Sequence, residues 1–324
     1  MLVVKAVTER SAAAAATLWR DGVRARRLAS LAALLSVIGC GAIIDRVGGM
    51  GRWGWEPSAR VSRLDTAFTS DGHRIEVERF APLALGSMDA RGSHARRPAI
   101  LVLHASGGLL ARGGATVRGW ADAFAEHGYV AFVVHYFDRT DDVRTDDAYE
   151  DATFPEWTAT LRDAVSFVRS DHHVDSTRVD AFGVSLGGFM ALALGAQDRR
   201  VSRLVVLSGG FFDALAPEVH HLPPTLLMHG DSDDVVPLAE ARRVDSALAR
   251  LGVPHALVIY PGASHTLDDT LEPDAVRRAL RFLDARSAAV GLARALSAAA
   301  KREAPAATVT PRPSLTGRPA RAGR

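Results

Sequence analysis

From about position 60 the chain alternates apolar and polar residues. "VSRLDTAFTS" and "HRIEVERF" change sides at nearly every step, and Asp71-Gly72 lies between them. Period-two alternation broken by Asp-Gly predicts a β-hairpin. The pattern then changes. "AILVLH" (99–104) and "YVAFVVHYF" (129–137) are continuous apolar runs, as expected of strands covered on both faces. "RVDAFGV" (178–184), "RLVVLSG" (203–209), "PTLLMHG" (224–230) and "HALVIYP" (255–261) are shorter runs of the same kind.

Between these runs apolar residues recur at helical spacing. "VRGWADAFAEHG" ends on a glycine, and "EWTATLRDAVSFVRS", "LGGFMALALGA", 238–251 and 273–285 complete the series. Strands alternating with helices predict an α/β fold. Its sheet is eight-stranded and mostly parallel, with helices on both faces. Such a domain would occupy 59–290. The stretch 138–157, "DRTDDVRTDDAYEDATFPEW", is acidic and aperiodic. It reads as a long loop over the sheet edge, with a solvated loop, a substrate gate and a metal site as its alternative roles. Its acids lack the spacing of a calcium-binding hand loop.

The two ends differ from this middle. Arg24, Arg26 and Arg27 precede an apolar stretch from Leu28 to Ile38, followed by Gly39 and Cys40. Basic, apolar, then small is the order of a secretory signal. Val37-Ile38-Gly39-Cys40 resembles the lipobox in which bacterial lipoproteins are lipidated on the cysteine. Residues 1–58 are therefore expected to be a signal or anchor segment plus linker; the 22 residues before Val23 are long for such a signal, and one explanation is a translation start nearer Val23. The expected protein is exported and membrane-anchored, a cytoplasmic location being the alternative. Residues 291–324 are basic and rich in Pro and Ala, the composition of a disordered tail.

The net charge of +2 over 324 residues argues against nucleic acid as a partner. A single cysteine excludes an intrachain disulfide and makes a cysteine-based metal site an unpromising reading.

Chemistry concentrates at predicted strand ends, where sheets of this kind bind ligands. Gly183-Val184-Ser185-Leu186-Gly187 is G-x-S-x-G, set between a predicted strand and a predicted helix. That context defines a nucleophile elbow, with Ser185 on a turn so sharp that its neighbours two residues away must be glycine. A serine hydroxyl needs a base, and the base needs an orienting acid. The order expected along the chain is serine, acid, histidine. Asp231, Asp233 and Asp234 follow one strand, and His265 lies in the loop after the last. His104 and His229 also sit at strand ends and read as structural. Oxyanion donors are expected from the N–H of Leu186 and from the loop "HASGGLL", with Ala105 as first choice and Ser106 as second.

"HASGGLL", "VVHYFDRT", "AFGVSLGGFMALAL", "HGDSDDVVP" and "YPGASH" together resemble the dienelactone hydrolase family of the α/β-hydrolase fold, over about 60–287. The resemblance implies a minimal hydrolase without a large cap, cleaving esters or lactones with no cofactor and no metal. It selects Asp233 as the acid, through the pattern H-G-x-x-D-x-x-V-P on 229–237. Enzymes acting on dienelactone itself carry cysteine at the elbow, so Ser185 points to general ester hydrolysis through an acyl-enzyme. The expected partner is a small-molecule ester or lactone. Oligomeric state is not legible. Two other readings share these residues. One is a serine peptidase of the prolyl oligopeptidase type, and the other is a catalytically silent, ligand-binding lipoprotein.

Overall fold

A computed structural model describes residues 57–83, 96–267 and 270–284. The signal-like segment, Cys40 and the basic tail lie outside the described residues. Eight strands form one sheet: β1 (Val61–Ser70), β2 (His73–Pro82), β3 (Arg97–Leu103), β4 (Val130–Val134), β5 (Val174–Val184), β6 (Val201–Leu207), β7 (Thr225–Gly230) and β8 (His255–Tyr260). Their spatial order is β1-β2-β4-β3-β5-β6-β7-β8. The β1–β2 hairpin is antiparallel and meets β4 antiparallel; every later pair is parallel. Asp71 and Gly72 both have positive φ, 44° and 81°, which is the backbone that a tight hairpin turn demands.

Among the described residues five α-helices cover the sheet: α1 (Ala111–Glu126), α2 (Asp147–Ser170), α3 (Leu186–Gln197), α4 (Leu238–Arg250) and α5 (Glu272–Asp284). Side chains alternate along each strand, so the apolar strands feed two cores. On one face Leu101, Leu103, Phe132 and Ala181 pack under α2, α3 and α4. On the other, Ile100, Val102, Phe182 and Val205 pack under α1 and α5. Trp120 of α1 stacks on Phe182 of β5 with ring centroids 4.3 Å apart. Each such buried aromatic contributes roughly 3–5 kcal/mol against truncation to Ala.

The expected acidic loop is corrected by the structure. Only its first part is irregular; α2 begins at Asp147 and carries Pro155 inside it. The acidic run that reads as loop lies at a helix N-terminus, where negative charge is favourable. Phe154, Trp157, Leu161, Val165 and Val168 then fall on one buried face, at spacings of three and four. The proline removes one helical hydrogen bond, and the burial of that face outweighs the loss. β4 is also shorter than its apolar run. It stops at Val134, and Tyr136–Arg139 form a 3-10 turn that presses Tyr136 against His104.

Candidate active site

Three loops at the carboxyl edge of the sheet build the site: after β5, after β7 and after β8, with β6 between the first two. The first is the elbow. Ser185 has φ 55° and ψ −125°, a strained conformation for a residue with a Cβ. Tight packing enforces it. A Cβ on Gly183 would lie 1.9 Å from the carbonyl oxygen of Gly187, and one on Gly187 would lie 2.2 Å from that of Leu103. The Ser185 N–H donates to Leu207 O (2.9 Å), and its own carbonyl accepts from Gly188 N–H (2.7 Å). The hydroxyl is thereby raised above the sheet on the first turn of α3.

His265 Nε2 lies 2.9 Å from Ser185 Oγ. Its Nδ1 lies 2.8 Å from Asp233 Oδ2. The other oxygen of Asp233 accepts the N–H groups of Val235 (3.0 Å) and Val236 (2.8 Å). Burial pushes the Asp233 carboxyl up. The hydrogen bond from His265, with those of Val236 and Val235, more than offsets it and holds the group below the usual carboxylate range. The structure thus brings together the hydroxyl, imidazole and carboxylate singled out in the sequence. Asp231 does not join them. Its Oδ1 accepts from Gly262 N–H at 2.6 Å, which ties the loop after β7 to the loop bearing His265.

His104 is buried and stacks on Tyr136 at 4.0 Å. Its Nδ1 lies 2.9 Å from Ala105 O. Burial, reinforced by His135 and opposed by that hydrogen bond, lowers its pKa to about 3. It is a neutral packing group beneath the loop that follows β3. Leu186, as the first residue of α3, has an N–H with no carbonyl four residues back inside the helix. In the loop after β3, Ser106 lines the cleft at Ser185. Ala105 precedes it, and its carbonyl accepts from Gly108 N–H at 2.9 Å.

The cleft itself has a volume of about 260 Å³. Phe189, Phe211 and Phe212 line it, together with Val235, Val236 and Pro237. Sequence reasoning missed the segment after β6 altogether. There Ser208, at φ 51°, donates through Oγ to His265 O at 2.9 Å, and Gly209 lets the segment press on α3. A Cβ on Gly209 would lie 2.9 Å from Gly188 Cα. The signal that could have found it is "SGGFF", two glycines immediately past a strand at the reactive edge.

A parallel sheet closed by an antiparallel hairpin, with a serine elbow and a histidine–aspartate pair on adjoining loops, defines a hydrolase of the α/β-hydrolase fold. The model of the dienelactone hydrolase family matches residues 86–293, and the chain belongs to that family.

Solved structures agree on the fold. A Klebsiella pneumoniae protein assigned as a dienelactone hydrolase aligns over 70% of this chain and 99% of its own, with TM-score 0.58 and 18% identity. A dienelactone hydrolase-like promiscuous phosphotriesterase from metagenomic libraries aligns over 69% and 98%, with TM-score 0.58 and 18% identity. A puromycin-hydrolyzing peptidase of Mycobacterium tuberculosis aligns over 70% and 40%, with TM-score 0.56 and 16% identity. Among curated sequences, the uncharacterized peptidase YuxL of Bacillus subtilis is 27% identical over 33% of this chain, and an uncharacterized protein of Mycobacterium tuberculosis is 31% identical over 38%. The matches span only 21% and 51% of those relatives' own lengths.

Proposed function

We propose that this hydrolase is a serine esterase that cleaves carboxylic esters or lactones through an acyl-enzyme. The observation that carries the reading is the unbroken contact series Ser185–His265–Asp233, at 2.9 and 2.8 Å. In the proposed cycle His265 Nε2 takes the Ser185 proton as Oγ attacks the ester carbonyl carbon. Asp233 fixes the imidazole tautomer and stabilises its cation. The negative oxygen of the tetrahedral intermediate accepts hydrogen bonds from Leu186 N–H and Ala105 N–H, with Ser106 as the alternative donor. Collapse breaks the bond to the alcohol oxygen, which leaves with the proton from His265. Water, deprotonated by the same nitrogen, then attacks the acyl carbon, and the acid departs as Ser185 recovers its proton.

No step needs a cofactor or metal. A fluorophosphonate probe and a p-nitrophenyl ester test the reading together. The wild-type chain is expected to carry the adduct on Ser185 and to turn the ester over, and Ser185→Ala to do neither. Equal turnover by the variant would refute it. The peptidase-like neighbours supply the second reading, and a panel of peptide amides against esters of the same acyl group separates the two.

The N-terminal basic–apolar–Cys40 order supports export and lipid anchoring. Among the described residues no helix is long and apolar enough to cross a membrane. Mass spectrometry of the mature chain tests the anchor: a lipidated Cys40 as first residue is the expected result, and an intact Met1 with unmodified Cys40 contradicts it.

A further inference from the structure

The cleft at Ser185 is lined by more than its phenyl rings. Four carboxylates, Glu150 and Asp151 from the first turns of α2, Asp213 after β6, and Glu240 from the first turn of α4, also line it. Among the described residues lining it there is no lysine or arginine. Arg243, not itself a lining residue, lies 2.7 Å from Asp213 and 3.5 Å from Glu240, and its guanidinium offsets only one charge. Acids and rings share the same ground. A Cβ built on Gly210 would sit 3.0 Å from Phe189 Cζ and 3.1 Å from Glu240 Oε2, so a ring edge and a carboxylate oxygen both crowd one point beside the nucleophile's helix.

The spacing of these acids decides what kind of cation they suit. A metal ion needs several ligand atoms drawn close around one point. Among the described residues only Asp171, His172 and His173 bring three such atoms within 4.8 Å of one another. They lie away from the cleft, where Arg79 already bonds Asp171 at 2.7 Å. The cleft carboxylates are spread over three elements and form no such cage. Diffuse negative charge beside phenyl rings suits an organic ammonium group instead: the carboxylates attract it, and the rings offer it a cation–π contact without dehydrating a small ion.

The geometry points to an ammonium-binding subsite here, and hence to esters that carry a fixed positive charge on the acyl or alcohol side as the preferred substrates. This rests on the esterase reading of Ser185 and deepens it. The subsite works against anionic esters, because an added carboxylate would meet like charges.

Two matched pairs of substrates test it. On the acyl side, p-nitrophenyl 4-(trimethylammonio)butyrate is compared with p-nitrophenyl 5,5-dimethylhexanoate. On the alcohol side, butyrylcholine is compared with 3,3-dimethylbutyl butyrate. The quaternary group cannot cyclise onto the ester, and its carbon analogue has the same shape without the charge. The expected result is a kcat/KM at least about tenfold higher for the cationic member of one pair. That ratio should fall at least threefold in 0.5 M salt, in Glu240→Gln and in the exposed-site variant Asp151→Asn. Taking ratios cancels any general loss of activity in a variant. A preference below tenfold in both pairs, or one insensitive to both substitutions, overturns the subsite. Hydrolysis of the neutral members with a Ser185 fluorophosphonate adduct would then leave the esterase reading standing, whereas no turnover and no adduct would remove the reading beneath it.

Discussion

His229 Nε2 lies 3.3 Å from Asp233 Oδ2 and 2.8 Å from the carbonyl oxygen of Val236. A carbonyl only accepts, so this nitrogen carries the hydrogen and the carboxylate shares it. Asp233 is thus surrounded by two backbone N–H groups, His265 and His229, and the contact series from Ser185 extends one residue deeper than the sequence indicated. His229→Leu is expected to lower kcat about tenfold and to move the acid limb of the kcat/KM profile to higher pH, because the Asp233 charge, no longer shared with His229, then holds the proton of the Asp233–His265 pair more tightly. His229→Gln, which restores an N–H donor, should recover most of both. Since a hydrogen bond to a charged group contributes about 1.5–3 kcal/mol, a pH profile of each variant against a p-nitrophenyl ester checks the expectation. Equal profiles for Leu and Gln would reduce His229 to packing.

Asp233→Asn keeps the shape of the acid and removes its charge. The imidazole then loses the group that fixes its tautomer, and a fall in kcat of roughly 10⁴ is expected by analogy with other serine triads. The fold should survive, so an unchanged circular-dichroism melt alongside the kinetic loss is the result to look for. A loss under tenfold would mean another carboxylate serves His265.

At the elbow, Gly187→Ala is expected to cost more than a surface glycine would. The added methyl would meet Leu103 O at 2.2 Å and His104 O at 2.7 Å, and backbone cannot swing aside as a long side chain can. Either β3 or the turn must move, so ester turnover should fall by 10² or more even where folded protein is recovered. Gly252→Ala is the control. It has φ 64° but nothing within 4 Å of the new methyl, so it should lose about 1 kcal/mol or less of stability and no activity.

Two buried carboxyls give stability opposite pH dependences. Asp180 on β5 is fully buried; desolvation, opposed by Arg203 and Arg178, pushes it up to about 7. Its folded value lies above its unfolded one, so the fold binds the extra proton, and stability is lost as pH rises from about 4 through 7. Glu78 is the reverse. Burial pushes it up, but hydrogen bonds from His135 and Arg118 and the charges of Arg118 and Arg63 bring it down to about 2. Its contribution, of order 2 kcal/mol, is present above pH 4.5 and lost as pH falls toward 2. Urea melts from pH 3 to 9 should show Asp180→Asn flattening the alkaline side of the curve and Glu78→Gln the acid side. Parallel curves for Asp180→Asn and wild type would contradict the buried charge.

The fold was largely legible because its signals are local. A strand covered on both faces must be apolar throughout, as "AILVL" and "VAFVV" are, and a hairpin turn with positive φ at two positions calls for Asp-Gly. The serine position was legible for the same reason: an elbow this tight excludes every side chain two residues away, so sterics write glycines into the chain at 183 and 187. The start of α2 was hidden because Asp and Glu suit both a solvated loop and a helix N-terminus. Only the burial of Phe154 and Trp157 against the sheet chooses between them.

The sequence by itself determined the strand–helix alternation, the elbow and a short list of partners for it. Among the three neighbouring aspartates the family resemblance had selected Asp233, but local physics had not, because Asp231, Asp233 and Asp234 differ only in where the loop after β7 turns. The tertiary structure decided it by giving Asp233 the N–H groups of Val235 and Val236 and giving Asp231 that of Gly262. It also assembled the cleft from rings and carboxylates on separate elements, since the sheet order places the ends of β5, β6 and β7 side by side.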